Sequence, residues 1–207
     1  MMINKYLVSV ENDLIENEPD RHNDLIEKLA GWISEQVKSG SKARINFICT
    51  HNSRRSQFSQ AWFDAVQQYM GVDYADSYSG GTEVTACNGR TIAALKRAGF
   101  EVESEGDENP VYSLKANETG KEIRLWSKVY DDDANPSEIF AAVMTCDHAD
   151  QNCPFIPGAA IRVPLTYTDP KYADDTEEET EAYDRTCKII ATDMMRIVKA
   201  VKEKVDE

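Results

Sequence analysis

The stretch Ala43-Arg44-Ile45-Asn46-Phe47-Ile48-Cys49-Thr50-His51-Asn52-Ser53-Arg54-Arg55-Ser56 decides how the chain folds. Ala43 to Ile48 is short and apolar-rich and reads as a buried strand, while Phe58, Trp62, Ala65, Val66 and Tyr69 recur at helical spacing just beyond it. The unit is therefore strand, tight polar loop, helix. The five residues between Cys49 and Arg55 must curl, so that their N–H groups converge on one concavity at a helix N-terminus. The helix end favours a thiolate at Cys49. Arg55 offers a planar fork that grips two oxygens of a tetrahedral oxyanion. Ser56 can donate its hydroxyl to the thiolate, and Asn52 can brace the loop. Thr50, His51, Asn52, Ser53, Arg54 and Arg55 are the expected oxyanion-binding residues. The plainer alternative is a buried cysteine at a strand end, with two arginines solvated at the start of a helix.

Outward from this unit the pattern repeats. Asp73 to Ser79 reads as a second strand closed by Gly80-Gly81, and Ala86 to Ala98 as a helix stopped by Gly99. Ile139 to Thr145 and Ala160 to Leu165 read as further strands, the first ending at Cys146, and about Thr176 to Lys204 as a long helix. Strands alternating with helices argue for an α/β fold, a parallel sheet with helices on both faces. Ligands in such sheets bind beyond the carboxyl ends of the strands. Cys49, Ser79, Cys146 and the loop after Leu165 lie at such ends.

Two regions depart from the alternation. Residues 1–40 carry two apolar stripes, Ile3, Leu7, Val10, Leu14 and Leu25, Leu29, Trp32, Ile33, Val37, broken at Pro19-Asp20 and stopped by Ser39-Gly40-Ser41. They are expected to form a helical N-terminal extension packed on the main domain, or else an arm for a partner. Glu101 to Glu108 reads as an acidic loop. Val111 to Ala116 and Glu122 to Tyr130 are β-rich runs around Asn117-Glu118-Thr119-Gly120, a hairpin signal. The acidic run from Asp174 to Glu181 reads as a solvated helix start.

The 207 residues are 41% hydrophobic and 29% charged, with a charge sum of 23 − 37 = −14. That balance argues against nucleic acid and anionic lipid as partners. No run approaches the length of a membrane span. Residues 1–18 lack a signal-peptide pattern, so a cytoplasmic location with reduced thiols is expected. Five cysteines, Cys49, Cys87, Cys146, Cys153 and Cys187, are then reactive or core thiols. Cys87 and Cys187 fall in helices and read as core. A metal site on Cys146, His148 and Cys153 is disfavoured by its wide spacing.

Ile48 to Gln57 resembles the phosphate loop of low-molecular-weight protein tyrosine phosphatases, and resembles still more that of the thioredoxin-coupled arsenate reductases sharing their fold. The likeness continues through Tyr78-Ser79-Gly80-Gly81-Thr82-Glu83-Val84, Asn88 and Arg90. It covers about residues 43–100 and 138–203 and leaves the hairpin unmatched. The resemblance implies a phosphatase-like parallel four-stranded sheet within residues 41–207, carrying a β-hairpin insert at about 105–135. The family usually has Gly at the position of His51 and Cys at that of Arg54, so His51 is expected to crowd the loop mouth and Arg54 to add positive charge there. The family's acidic potassium ligand falls at Gln60.

Val143-Met144-Thr145-Cys146-Asp147-His148-Ala149-Asp150-Gln151-Asn152-Cys153-Pro154 resembles the redox segment of the arsenate reductases. By that resemblance Cys49, Cys146 and Cys153 form a thiol–disulfide relay that thioredoxin re-reduces, with no metal or other cofactor. Thr166-Tyr167-Thr168-Asp169-Pro170 matches the Asp-Pro loop of both families, which makes Asp169 the proton donor to the leaving oxygen. Lys171-Tyr172 follow, an aromatic one position later than the phosphatases place theirs. Cys49, Arg55, Ser56, Asp169, Cys146 and Cys153 are thus the expected catalytic residues of an arsenate reductase. A tyrosine phosphatase and a non-catalytic oxyanion-binding module are the alternatives.

Overall fold

The computed structural model describes residues 2–16, 21–152 and 155–207; Cys153 and Pro154 lie outside them. Strands β1 (Ala43–Cys49), β2 (Ala75–Gly81), β6 (Phe140–Met144) and β7 (Ala159–Val163) form a four-stranded sheet in the order β2-β1-β6-β7. Every pairing in it is parallel, as expected of strands joined by helical crossovers. Helix α3 (Arg55–Met70) follows β1, α4 (Gly89–Ala98) follows β2, the six-residue α5 (Asp147–Asn152) follows β6, and α6 (Glu179–Asp206) closes the chain.

The strand interiors are apolar because both faces of the sheet are covered. One core contains Ile45, Phe47, Phe58, Trp62, Phe63, Val143, Met194 and Ile197; on the opposite face Ile48, Phe140, Met144, Cys146 and Ile156 make a smaller one.

The N-terminal stripes form α1 (Met2–Glu16) and α2 (Asn23–Lys38). Ile3, Leu7 and Val10 of α1 and Ile26, Leu29 and Ile33 of α2 are buried in the larger core beside α6. Asp193 of α6, fully buried, draws Arg21 and His22 to it, each at 3.0 Å, and Arg196 at 3.4 Å. Arg21 and His22, just before α2, are thereby tied to α6 through charge.

The region after α4 corrects the sequence reading. Glu101 to Glu105, expected as an acidic loop, is strand β3, antiparallel to β4 (Val111–Lys115), which pairs in turn with β5 (Ile123–Leu125). Four of its five residues are exposed and only Val102 packs on the core, so no apolar alternation announces it. The second β-rich run is shorter than expected. After Leu125 the chain leaves this three-stranded sheet, and Val129 makes a lone parallel bridge to Gly81. The insert is therefore a three-stranded sheet with a trailing arm, and that arm runs beneath the Cys49 loop.

Candidate active site

The loop from Cys49 to Arg54 leaves β1 and enters α3, and its carbonyls are taken by the surrounding scaffold. The Cys49 carbonyl accepts from Thr82 N–H at 3.2 Å and that of Thr50 from Glu83 N–H at 2.9 Å. The His51 carbonyl accepts from Ser127 Oγ at 2.9 Å, that of Asn52 from Gln57 Nε2 at 2.7 Å, and that of Ser53 from Asn88 N–H at 2.9 Å. A trans peptide carries its C=O and N–H in opposite directions. With these carbonyls turned outward, the N–H groups of Thr50 through Arg54 turn toward the concavity, which is the nest expected for an anion.

Two glycines let the scaffold approach this closely. A Cβ on Gly81 would sit 2.7 Å from the Thr50 carbonyl oxygen and 2.8 Å from Asn52 N, and one on Gly80 would meet Tyr130 Cα at 2.3 Å.

Asn52 is the keystone. Its backbone takes the left-handed conformation at φ 45°, which asparagine tolerates better than most residues. Its Oδ1 accepts from Lys128 N–H at 3.0 Å and its Nδ2 donates to Ser56 Oγ at 2.8 Å. Ser56 Oγ is thereby held 3.1 Å from Cys49 Sγ, where its hydroxyl can donate to the thiolate.

Arg55 Nη1 donates to the Tyr167 carbonyl at 2.9 Å and Nη2 to Asp169 Oδ2 at 2.7 Å. Its Nε is buried and finds no acceptor among the described residues. A buried guanidinium donor with nothing to bond is costly; an oxyanion seated in the nest would satisfy it. Cys49, Thr50, His51, Ser53, Arg54, Arg55 and Asp169 together line a small concavity.

Of the two unusual loop residues, His51 stands at the loop mouth as expected, and Arg54 brings less free charge than expected. His51 sits at the rim and turns toward Glu83, with Nε2 3.4 Å from Oε2. Arg54 lines the cavity but its charge is largely matched. Its Nε donates to Tyr183 Oη at 2.8 Å, its Nη2 lies 3.4 Å from Asp174, and Tyr183 in turn donates to Asp174 at 2.8 Å. Arg90 reinforces the arrangement through Asp175 and Glu179, each at 2.6 Å. The acidic run expected as a solvated helix start is thus partly the counter-charge of two arginines. Burial pushes the Tyr183 phenol up to about 12, so it stays protonated as a donor.

Cys146 lies at the end of β6, buried, and meets the loop through Thr50: Thr50 Oγ1 is 3.5 Å from Cys146 Sγ and 3.2 Å from His148 Nδ1. Ala149 N–H also points at Cys146 Sγ, at 3.4 Å. The structure therefore brings Cys49, Thr50, Arg55, Ser56, Asp169 and Cys146 to one end of the sheet.

Cys87 and Cys187 are buried, and burial pushes both thiols upward, that of Cys187 to about 12. Gln60, at the family's potassium-ligand position, accepts from Ser79 Oγ at 2.7 Å and donates to the Arg124 carbonyl at 3.3 Å. Among the described residues no group of three or more His, Cys, Asp or Glu side chains is arranged to hold a metal ion, and no helix is long and apolar enough to cross a membrane.

Sequence reasoning missed Lys128. Its side chain is buried, its ammonium lies 3.9 Å from the centroid of the Trp126 ring, and burial pushes it down to about 8. Its backbone holds both Asn52 and Gly81, the latter through the Lys128 carbonyl at 2.8 Å. Nothing in the residue types of this arm signals that role.

Comparison with known proteins agrees with the geometry. The family model for the low molecular weight phosphotyrosine protein phosphatases matches residues 44–110. The arsenate reductase of Bacillus subtilis (strain 168) is 30% identical over 140 residues, covering 67% of this chain and 82% of that protein. That of Halalkalibacterium halodurans is 29% identical over 141 residues, covering 67% and 82%. Among solved structures, a low molecular weight phosphotyrosine phosphatase from Vibrio cholerae O395 superposes with a TM-score of 0.51 at 15% identity, covering 78% of this chain and 97% of that one. The chain belongs to the family of arsenate reductases related to the low-molecular-weight phosphotyrosine phosphatases.

Proposed function

We propose that this protein is an arsenate reductase working through three thiols. The observation that carries the reading is the seat of Cys146, buried and 3.5 Å from the hydroxyl of Thr50, the residue next to the nucleophile. Hydrolysis of a phosphate ester has no use for a second thiol there. Arsenate enters the nest against the loop N–H groups and the Arg55 fork. The Cys49 thiolate, held by Ser56, attacks arsenic, and Asp169 protonates the departing oxygen, which leaves as water.

Cys146 then attacks Cys49 Sγ. The S–S bond forms as the S–As bond breaks, its electron pair stays on arsenic, and arsenite departs while two thiols become a disulfide. Cys153 attacks Cys146 in turn and frees Cys49. A dithiol reductant restores the Cys146–Cys153 pair, and the family resemblance favours thioredoxin in that role.

The deciding assay is arsenate-dependent NADPH oxidation with thioredoxin and thioredoxin reductase, run beside aryl phosphate hydrolysis. Cys49→Ser should abolish both activities. Cys146→Ala and Cys153→Ala should each stop repeated arsenate turnover and spare any ester hydrolysis. Arsenate reduction at the parent rate in both latter variants would overturn the three-thiol relay, and ester hydrolysis without arsenate reduction in the parent would leave phosphatase chemistry as the better account. Tyr172 supplies that alternative with an aromatic, 58% exposed, two residues after Pro170.

A further inference from the structure

The relay asks a buried thiol to act as a nucleophile. Cys146 is 1% exposed and no basic side chain donates to its sulfur among the described contacts. A neutral thiol attacks poorly, so the proton must have somewhere to go. A path is built beside it. Thr50 Oγ1 stands between Cys146 Sγ, at 3.5 Å, and His148 Nδ1, at 3.2 Å. A hydroxyl can accept one proton while giving up its own. His148 is exposed, so its ring can pass the proton on to water.

We propose that His148 is the proton acceptor for Cys146, acting through the hydroxyl of Thr50. This rests on the relay reading above. Before the step, Cys146 S–H donates to Thr50 Oγ1 and Thr50 O–H donates to a neutral His148 Nδ1. Afterwards, the Cys146 proton resides on Thr50 and the former Thr50 proton on His148. The thiolate then accepts from Thr50 O–H and from Ala149 N–H, 3.4 Å away. No atom moves further than a hydrogen-bond length, and no co-reactant is consumed. Attack on Cys49 Sγ follows.

The charged groups around His148 are known. Its own helix carries Asp147 and Asp150, the latter paired with Arg162 of β7 at 2.6 Å. The loop packed against it carries His51, paired with Glu83 at 3.4 Å. The strands β1 and β6 present no charged side chain at this end. The ring is held from its backbone side as well, because Asn152 Nδ2 donates to the His148 carbonyl at 2.7 Å.

The test isolates the Cys146 step from arsenate. In full-length protein carrying Cys153→Ala, Cys49 is converted to its methyl disulfide with methyl methanethiosulfonate, and peptide mapping establishes the labelled thiol. Cys146 then attacks Cys49 Sγ, the Cys49–Cys146 bond forms and methanethiol leaves, followed by quenched-flow mass spectrometry. The parent should release methanethiol in a single first-order phase at pH 7. His148→Ala and Thr50→Val should each slow the step about 10-fold to 100-fold at pH 7. The two combined should be no slower than either alone, and Thr50→Ser should restore the rate. His148→Ala with the parental rate would overturn the proposal and leave the relay intact. A parent that never releases methanethiol would mean that Cys146 does not reach Cys49, and the relay would fall with it.

Discussion

Asp169 Oδ2 lies 2.7 Å from Arg55 Nη2, so the carboxylate proposed as proton donor rests on the guanidinium proposed to hold the substrate. An incoming oxyanion has to displace that carboxylate from Arg55, or share the fork with it. The contact keeps the two groups in register and at the same time competes with binding of an anion.

Asp169→Ala should therefore separate the two effects. Arsenate and inorganic phosphate should bind more tightly, by about 3-fold to 10-fold, because a like charge has been removed. The first chemical step should slow by about 10²-fold or more for want of a proton donor. Calorimetric binding of phosphate and single-turnover kinetics check the pair. Weaker binding would mean that Asp169 orients Arg55 more than it opposes the anion.

Asn52→Ala removes the bonds to Ser56 and Lys128 and places alanine in a left-handed conformation. A loss of about 2–3 kcal/mol in stability is expected, measured by urea unfolding. Alkylation of Cys49 by iodoacetamide at neutral pH should slow as well, since Ser56 loses the contact that holds its hydroxyl beside the sulfur. Asn52→Asp retains an acceptor for Lys128 N–H and should recover part of the stability but not the Ser56 contact as drawn.

The α5 helix sets a condition on oxidation. Cys146 and Cys153 stand seven positions apart, about 10 Å of rise if the backbone between them stays helical. A disulfide wants its Cα atoms within about 7 Å. Formation of the Cys146–Cys153 bond should therefore unwind residues 147–152, the span of α5. Amide exchange there should be slow in the reduced protein and fast in the oxidised one. Equal protection in both states, with the disulfide confirmed by mass, would show that no unwinding is needed.

Asp193 predicts an acid dependence. Burial alone would raise its carboxyl, but hydrogen bonds from His22 and Arg21 outweigh that and hold it below the usual range. A depressed carboxyl contributes its full stability above the unfolded value, about pH 4, and loses it as pH falls through the folded one. Asp193→Asn should cost about 3 kcal/mol at pH 7, where it leaves the buried Arg196 without its counter-charge. The difference between parent and variant should shrink below pH 4, as urea unfolding across pH would show.

The parts of the site legible in the sequence are those written in adjacent residues. Cys49, Asn52, Arg55 and Ser56 fall within one strand-to-helix turn, and their chemistry follows from their types and spacing. The α3 and α6 helices were legible because their apolar stripes run over several turns. What escaped was long-range or made by backbone. Arg54 meets Tyr183 and Asp174, residues 129 and 120 positions away, so its charge looked free when read alone. The β3 strand is acidic because its side chains face water, and its identity comes from pairing with β4. The arm from Trp126 to Tyr130 acts largely through peptide groups, to which side-chain pattern is blind.

That arm also fixes an order of assembly. Lys128 N–H, which holds Asn52, comes 76 positions later in the chain. During synthesis the nest is made long before its brace, and its carbonyls cannot all be turned outward until the insert has docked. A nascent chain thus lacks the Ser127 and Lys128 donors to His51 and Asn52 until the region beyond Leu125 has been made.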